Sequence, residues 1–261
     1  MKLAANLSML FAELPLLERV RAAAVAGFDG VEIQFPYELP ALQLKEALQR
    51  AGLPLVLINL PAGDLMQGGP GLAALPQRRP EFAEALQQAL TYAAMVRPQR
   101  VNVLAGRLAE GVSREQALAC LADNLQRTAE AFAVLGIGVV CEAINPLDMP
   151  GFLINTPQHL HELLAKVAHP NLHAQLDLYH LARQSLDIEA GVALLAGQIA
   201  HVQFADYPGR GEPGSGRLDF NSCLLALCRA GYQGWLSAEY RPQGRAHLAW
   251  MADWKARLQG T

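Results

Sequence analysis

The chain has 261 residues, 52% hydrophobic and 17% charged, which is material for one sizeable core and not the composition of a disordered polypeptide. A net charge of −3 with no Lys/Arg block argues against nucleic acid or a membrane surface as partner, and no stretch approaches the roughly 18 unbroken apolar residues of a membrane span, so a small molecule is the expected ligand. Cys120, Cys141, Cys223 and Cys228 form no CxxC pair and no zinc-finger spacing, so reduced core thiols in a cytoplasmic protein are expected.

The opening "MKLAANLSMLFA" is interrupted by Asn6 and Ser8 and followed at once by Glu13, which fits a strand over 3–9 better than a signal peptide. A segment of helical period, 15–27, closes on Gly27. Strand 31–35, helix 42–52 ending on Gly52 and strand 53–60 come next. A long loop, 61–80, leads to helix 81–96 and strand 100–106. Helix 113–136 opens on Ser113 and ends on Gly136, and strand 138–145 precedes a helix over 156–168 that opens on Thr156. Strand 173–179, helix 186–197 with Asp187 as cap, and strand 200–206 lead into a second long loop, 207–218. Helix 219–231, framed by Asp219 and Gly231, then strand 234–240 and helix 245–258 complete the chain.

Near-continuous apolar strands alternating with amphipathic helices mean a parallel sheet covered by helices. Eight such units of about 33 residues predict a single-domain (β/α)8 TIM barrel over 1–261. A doubly wound open sheet is the alternative, but "NLSMLFAELP" lacks the glycine-rich turn that usually follows its first strand. Both long loops follow strand C-termini and are expected over the same barrel mouth, as candidate lids.

Four strands in the second half each carry a lone polar group near the C-terminal end: Glu142 in "VVCEAI", Asp177 in "AQLDLY", Gln203 in "HVQFAD" and Glu239 in "LSAEY". Each interval is close to one unit, so successive units contribute one group each. Strand alternation puts Glu142 on the face of Val140, Asp177 with Gln175, Gln203 with His201, and Glu239 with Ser237. If that face is the barrel interior, the four groups converge where barrel active sites are built. Three carboxylates together repel, and a divalent cation relieves them; an all-oxygen donor set suits Mg²⁺ or Mn²⁺ better than zinc or copper. His180 can donate to a developing oxyanion or be structural, and His201 is expected one layer below Gln203. The carboxylates and a dication sum to about one negative charge, so an anionic substrate needs an added cation, for which Arg210 and Arg241 are placed. "LAGR" (104–107) and "INLPAGD" (58–64) are further mouth segments, where Asn59 and Asp64 can also simply shape turns.

The blocks "AANLSMLF", "AGFDGVEIQFPY", "NLPAGD", "GLAALPQR", "CEAIN", "LDLYH", "HVQFADYPGRGEPG" and "SAEYRP" together resemble the hydroxypyruvate isomerase family of the xylose-isomerase-like barrels, over essentially the whole chain. The resemblance implies an acid/base pair at the ends of strands five and eight, falling on Glu142 and Glu239, and a metal set falling on Glu142, Asp177, Gln203 and Glu239. Gly211 and Arg217 stand where many members have His and an acidic residue, and Arg241 where many have Lys; these departures touch the mouth loops. The expected activity is that of an aldose–ketose isomerase on a small hydroxy-oxo acid, first hydroxypyruvate to tartronate semialdehyde, through a metal-stabilised cis-enediolate. His180, Arg210 and Arg241 are the expected substrate-binding residues. The alternatives are a 2-oxotetronate isomerase, a ketose 3-epimerase, a non-catalytic sugar-acid-binding barrel, and a metal-dependent endonuclease, which would need a basic face this chain lacks. Barrels of this kind are commonly homo-oligomers, and the sequence leaves the state open.

Overall fold

The apolar runs build short strands of four to six residues, and the polar or glycine-bearing turns stop them. In the computed structural model, which describes residues 1–244 and 246–259, these are β1 (Lys2–Asn6), β2 (Gly30–Ile33), β3 (Leu55–Asn59), β4 (Arg100–Val103), β5 (Gly138–Glu142), β6 (Leu172–Asp177), β7 (Ile199–Phe204) and β8 (Trp235–Ala238). All neighbours run parallel in chain order, and β8 pairs back onto β1 to close the barrel. The (β/α)8 expectation therefore holds. The strands end earlier than their apolar runs, whose last residues belong to the turns at the mouth.

The helices are α1 (Leu16–Ala26), α2 (Ala41–Ala51), α3 (Arg79–Val96), α4 (Arg114–Val134), α5 (Pro157–Val167), α6 (Leu178–Arg183), α7 (Ile188–Leu194), α8 (Phe220–Arg229) and α9 (Met251–Gln259). The expected caps operate: Ser113, Thr156, Asp187 and Asp219 each accept from backbone N–H groups, and Ser113 with Gln116 forms a reciprocal capping box. Gly27 and Gly52 close their helices in the left-handed conformation that glycine alone adopts at no steric cost. Two elements differ from the sequence reading. The run 173–179 is not all strand, because Asp177 Oδ1 accepts from Tyr179 N and starts α6 directly at the end of β6. The last helix begins at Met251; Arg245, where the sequence segment starts, lies outside the described residues.

Alternation, broken at Val56 where β3 bulges against β2, also separates two cores. Leu3, Val139, Cys141, Val202 and Leu236 face the helices in the main apolar cluster, whereas Ala4, Val56, Leu57, Val140 and Trp235 form a small second cluster in the barrel. A side chain at Gly30 would meet Val56 and Trp235 at 2.8–2.9 Å, so this cluster needs a bare backbone there. Above it the interior turns polar, and that change places the site.

Candidate active site

The upper barrel interior is lined by one polar side chain after another. Glu32 from β2 is fully buried; its Oε1 accepts from Asn6 Nδ2 (2.7 Å) and Gln203 Nε2 (2.8 Å), and its Oε2 lies 2.7 Å from His201 Nε2. Gln203 Oε1 accepts from Gln175 Nε2 (2.6 Å), and the same Gln175 nitrogen donates to Glu142 Oε2 (2.9 Å), which also accepts from Asn102 Nδ2 at 3.3 Å. One amide thus brings the oxygens of Glu142 and Gln203 together. Glu239, just past β8, accepts from Gln34 Nε2 at 2.7 Å.

Asp177 divides its work. Its Oδ1 caps α6, and its Oδ2, fully buried, has no hydrogen-bond partner. His180, three residues on and therefore on the same face of α6, brings Nε2 to 3.5 Å from Asp177 Oδ2 and 3.8 Å from Glu142 Oε1. Arg210 reaches in from the loop after β7, with one guanidinium nitrogen 3.3 Å from Glu239 Oε1 and 3.6 Å from Asp177 Oδ2, and its head lies over the Tyr179 ring.

Glu142, Gln203, Glu239, His180, Arg210 and Arg241 all line one cavity of about 630 Å³, with Asp177 beneath them. The residues expected from the sequence are therefore brought together at the mouth. Arg241 stands on the exposed rim and its main-chain N–H donates to Arg210 O at 2.8 Å. His201 lies below Gln203, as expected. Asn59 lines the cavity and accepts from Asn102, whereas Asp64 shapes its loop through Gly71 N and Arg78.

Neither long loop is an open lid. In 61–80 two single 3₁₀ turns, Leu65–Gln67 and Pro76–Arg78, are tied by Arg78 to Asp64 and by Arg107 Nη1 to the carbonyls of Leu65 and Gly69. In 207–218 the buried Asp206 carboxylate accepts from four backbone N–H groups, those of Tyr207, Gly214, Gly216 and Leu218, at 2.8–2.9 Å. Within this loop Arg210 takes a left-handed backbone conformation that non-glycine residues seldom adopt, its carbonyl accepting from Arg241 N at 2.8 Å.

Charge in this enclosure follows burial. Burial, then the neighbouring Glu239 and Asp177, raise Glu142 well above the usual carboxylate range. Burial likewise raises Glu239 to about 8, against the opposing pull of Arg210. Burial pushes Glu32 upward too, but the bonds from His201 and Gln203 outweigh it and keep Glu32 below its ordinary value. Burial lowers His180 to about 4, so its ring is neutral. For Arg210, burial is outweighed by Glu239, Asp177 and Glu142, which hold the guanidinium charged.

Three buried carboxylates surround one guanidinium, and Asp177 Oδ2 is an acceptor without a hydrogen-bond partner, beside Arg210 and His180. A divalent cation would supply the missing charge and partner, so the residues present fit one. By distance alone Glu142, Asp177 and His180 each offer a ligand atom, all within 4.8 Å of one another.

The sequence reading missed Glu32, Gln34, Asn102, Asn145 and Asp148, and gave Gln175 only as sharing a face with Asp177. The signal for the first three and for Gln175 is the one that found the others, a lone polar residue on the inward face of an apolar strand.

Comparisons agree with this architecture. A family model described as xylose isomerase-like TIM barrel matches residues 20–257. The chain is similar to the hydroxypyruvate isomerase of Escherichia coli K12, 37% identical across 98% of this chain and 100% of that one. It is similar to the 2-oxo-tetronate isomerase of Pectobacterium atrosepticum, 36% identical across 97% of each. Among solved structures it resembles one named AP endonuclease, family 2, from Brucella melitensis, with a TM-score of 0.92 and 37% identity over 97% of this chain and 98% of that one.

Proposed function

The chain belongs to the xylose isomerase-like TIM-barrel family, and from that premise we propose that it is an aldose–ketose isomerase that converts hydroxypyruvate to tartronate semialdehyde. The observation that supports this most is the pair of buried glutamates, from β5 and from the end of β8, that face one cavity with raised proton affinity beside orphaned Asp177 Oδ2. A general base needs a proton affinity near the working pH, and a carboxylate reaches it only when water is kept away.

Glu142, Asp177, Gln203 and Glu239 would hold a divalent cation, Mg²⁺ or Mn²⁺ by the hardness of their oxygens, which polarises the substrate's carbonyl and hydroxyl oxygens and acidifies the C–H between them. One of Glu142 and Glu239 removes a proton from C3 of hydroxypyruvate, leaving a cis-enediolate. A glutamate returns a proton to C2 while the hydroxyl proton passes from the C3 oxygen to the C2 oxygen, so atoms and charge balance. His180 faces the reacting oxygens between Glu142 and Asp177. Arg210, held charged and half in contact with Glu239, together with Arg241 on the rim, meets the substrate carboxylate. Gln203, as the neutral member, limits the negative charge the site must tolerate.

The test compares kcat/KM on hydroxypyruvate, on the four-carbon 2-oxo-tetronate and on a ketohexose, each with and without chelator. Hydroxypyruvate is expected to turn over fastest, with activity lost to chelator and restored by Mg²⁺ or Mn²⁺. Faster turnover of 2-oxo-tetronate would reassign the substrate, and turnover of none would overturn the isomerase reading.

A further inference from the structure

His180 meets the site through one ring nitrogen and a polar turn through the other. The turn after β5 places Asn145 against the ring, with Asn145 Nδ2 2.6 Å from His180 Nδ1. The orientation of that amide is set independently of the ring. Asp148 N, which can only donate, lies 2.8 Å from Asn145 Oδ1. Asn145 Nδ2 in turn donates to Asp148 Oδ2 at 3.1 Å. That carboxylate is itself fixed as an acceptor by Tyr179 Oη at 2.9 Å and Arg183 Nε at 3.1 Å.

With its oxygen committed to Asp148 N, Asn145 can present only N–H to His180. An N–H on Nδ1 would then oppose another N–H at 2.6 Å, so Nδ1 must be bare. A ring with bare Nδ1 carries its hydrogen on Nε2. That atom points between Asp177 Oδ2 and Glu142 Oε1 at distances longer than a good hydrogen bond, which leaves its hydrogen for a third partner between them.

We infer that Asn145 and Asp148 fix His180 as the Nε2–H tautomer, so that the ring enters the cavity as a neutral hydrogen-bond donor to a substrate oxygen and not as a ligand of the cation. A protonated Nε2 has no lone pair to offer a metal, although distance alone would admit the ring to a ligand set with Glu142 and Asp177. The cation is thereby left to oxygen donors, and Asn145 and Asp148 are positioning residues, acting through the ring. The identity of the third partner rests on the isomerase reading; the tautomer does not.

The test uses the full chain with ¹⁵N-labelled histidine, saturated with Mg²⁺, and a long-range ¹H–¹⁵N correlation spectrum in which His180 is assigned by its loss in His180→Gln. Nδ1 is expected at an unprotonated-type shift and Nε2 at a protonated-type shift; the reverse, or two protonated-type nitrogens, overturns the inference. In Asn145→Ala a second tautomer is expected to appear, with kcat lowered about ten- to hundredfold and KM within about threefold. An unchanged single tautomer there would remove Asn145 from the role. His180→Gln is expected to keep Mn²⁺ affinity, read by the signal of free Mn²⁺, within about threefold, whereas a loss of about tenfold or more would make the ring a ligand. The spectra and Mn²⁺ titrations need no substrate, so they stand whether or not hydroxypyruvate is turned over.

Discussion

Glu239 has two opposed influences on its carboxyl. Burial lifts its proton affinity to about 8, while Arg210 and the 2.7 Å bond from Gln34 Nε2 favour the charged form. Removing the Gln34 bond therefore raises the affinity further, and the base needs a higher pH to ionise. Gln34→Leu is expected to move the acid limb of the kcat/KM profile to higher pH while leaving the plateau within about tenfold; a limb that stays or moves down would contradict this. Glu32, equally buried, goes the other way because Asn6, Gln203 and His201 all meet its oxygens. That contrast was not legible in the sequence: "VEIQF" shows Glu32 and Gln34 on one face, but nothing in it says that His201, five strands away, closes on Glu32. Glu142, Asp177, Gln203 and Glu239 were legible because a lone polar residue in an apolar strand has few other reasons to be there. Asn145 and Asp148 were not, since turns use Asn and Asp for their own backbone bonds, and here the same bonds also orient His180.

At the scale of elements, short strands position the site from below and turns complete it from above. Asp177 is the joint between the two, ending β6, capping α6 and turning its second oxygen toward His180 and Arg210. The helix it starts was hidden in the sequence because "LDLYH" continues the apolar alternation of the strand. The loop after β7 is organised around Asp206, whose carboxylate takes four backbone N–H groups. Asp206→Ala leaves those groups to water and frees Arg210. The expected result is about 1–3 kcal/mol lower stability by denaturant unfolding, together with a rise in KM larger than the fall in kcat. A fall in kcat with KM unchanged would show that the loop does something other than hold Arg210 for the substrate. Length and position after strand ends marked both long loops as important, but not as pinned walls, because hydrogen bonds from a distant arginine such as Arg107 to loop carbonyls have no local signature.

At the scale of the whole molecule, closing eight strands into a barrel forces the inward polar groups of the strands together at one end. Among the described residues no helix is long and apolar enough to cross a membrane. Burying several carboxylates makes stability depend on pH. Glu142 and Glu239 have folded affinities raised above the ordinary 4.5, so the stability they contribute is complete below about pH 4.5 and is lost as pH rises through the raised values, which for Glu239 is about 8. Glu32, lowered, contributes above its ordinary value and does not offset this window. Metal-free protein is therefore expected to lose Tm between pH 5 and 8, and added Mg²⁺ or Mn²⁺ to raise Tm by an increment that grows with pH across it. A constant increment would mean that the cation binds elsewhere. The most direct test of proton transfer by these glutamates is exchange of the C3 hydrogens of hydroxypyruvate in D₂O, followed by NMR with metal-loaded protein and with its Glu239→Gln variant. Exchange and conversion by the unmodified protein, slowed about 10²- to 10⁴-fold in the variant, is the expected result. Equal exchange in both proteins would contradict it.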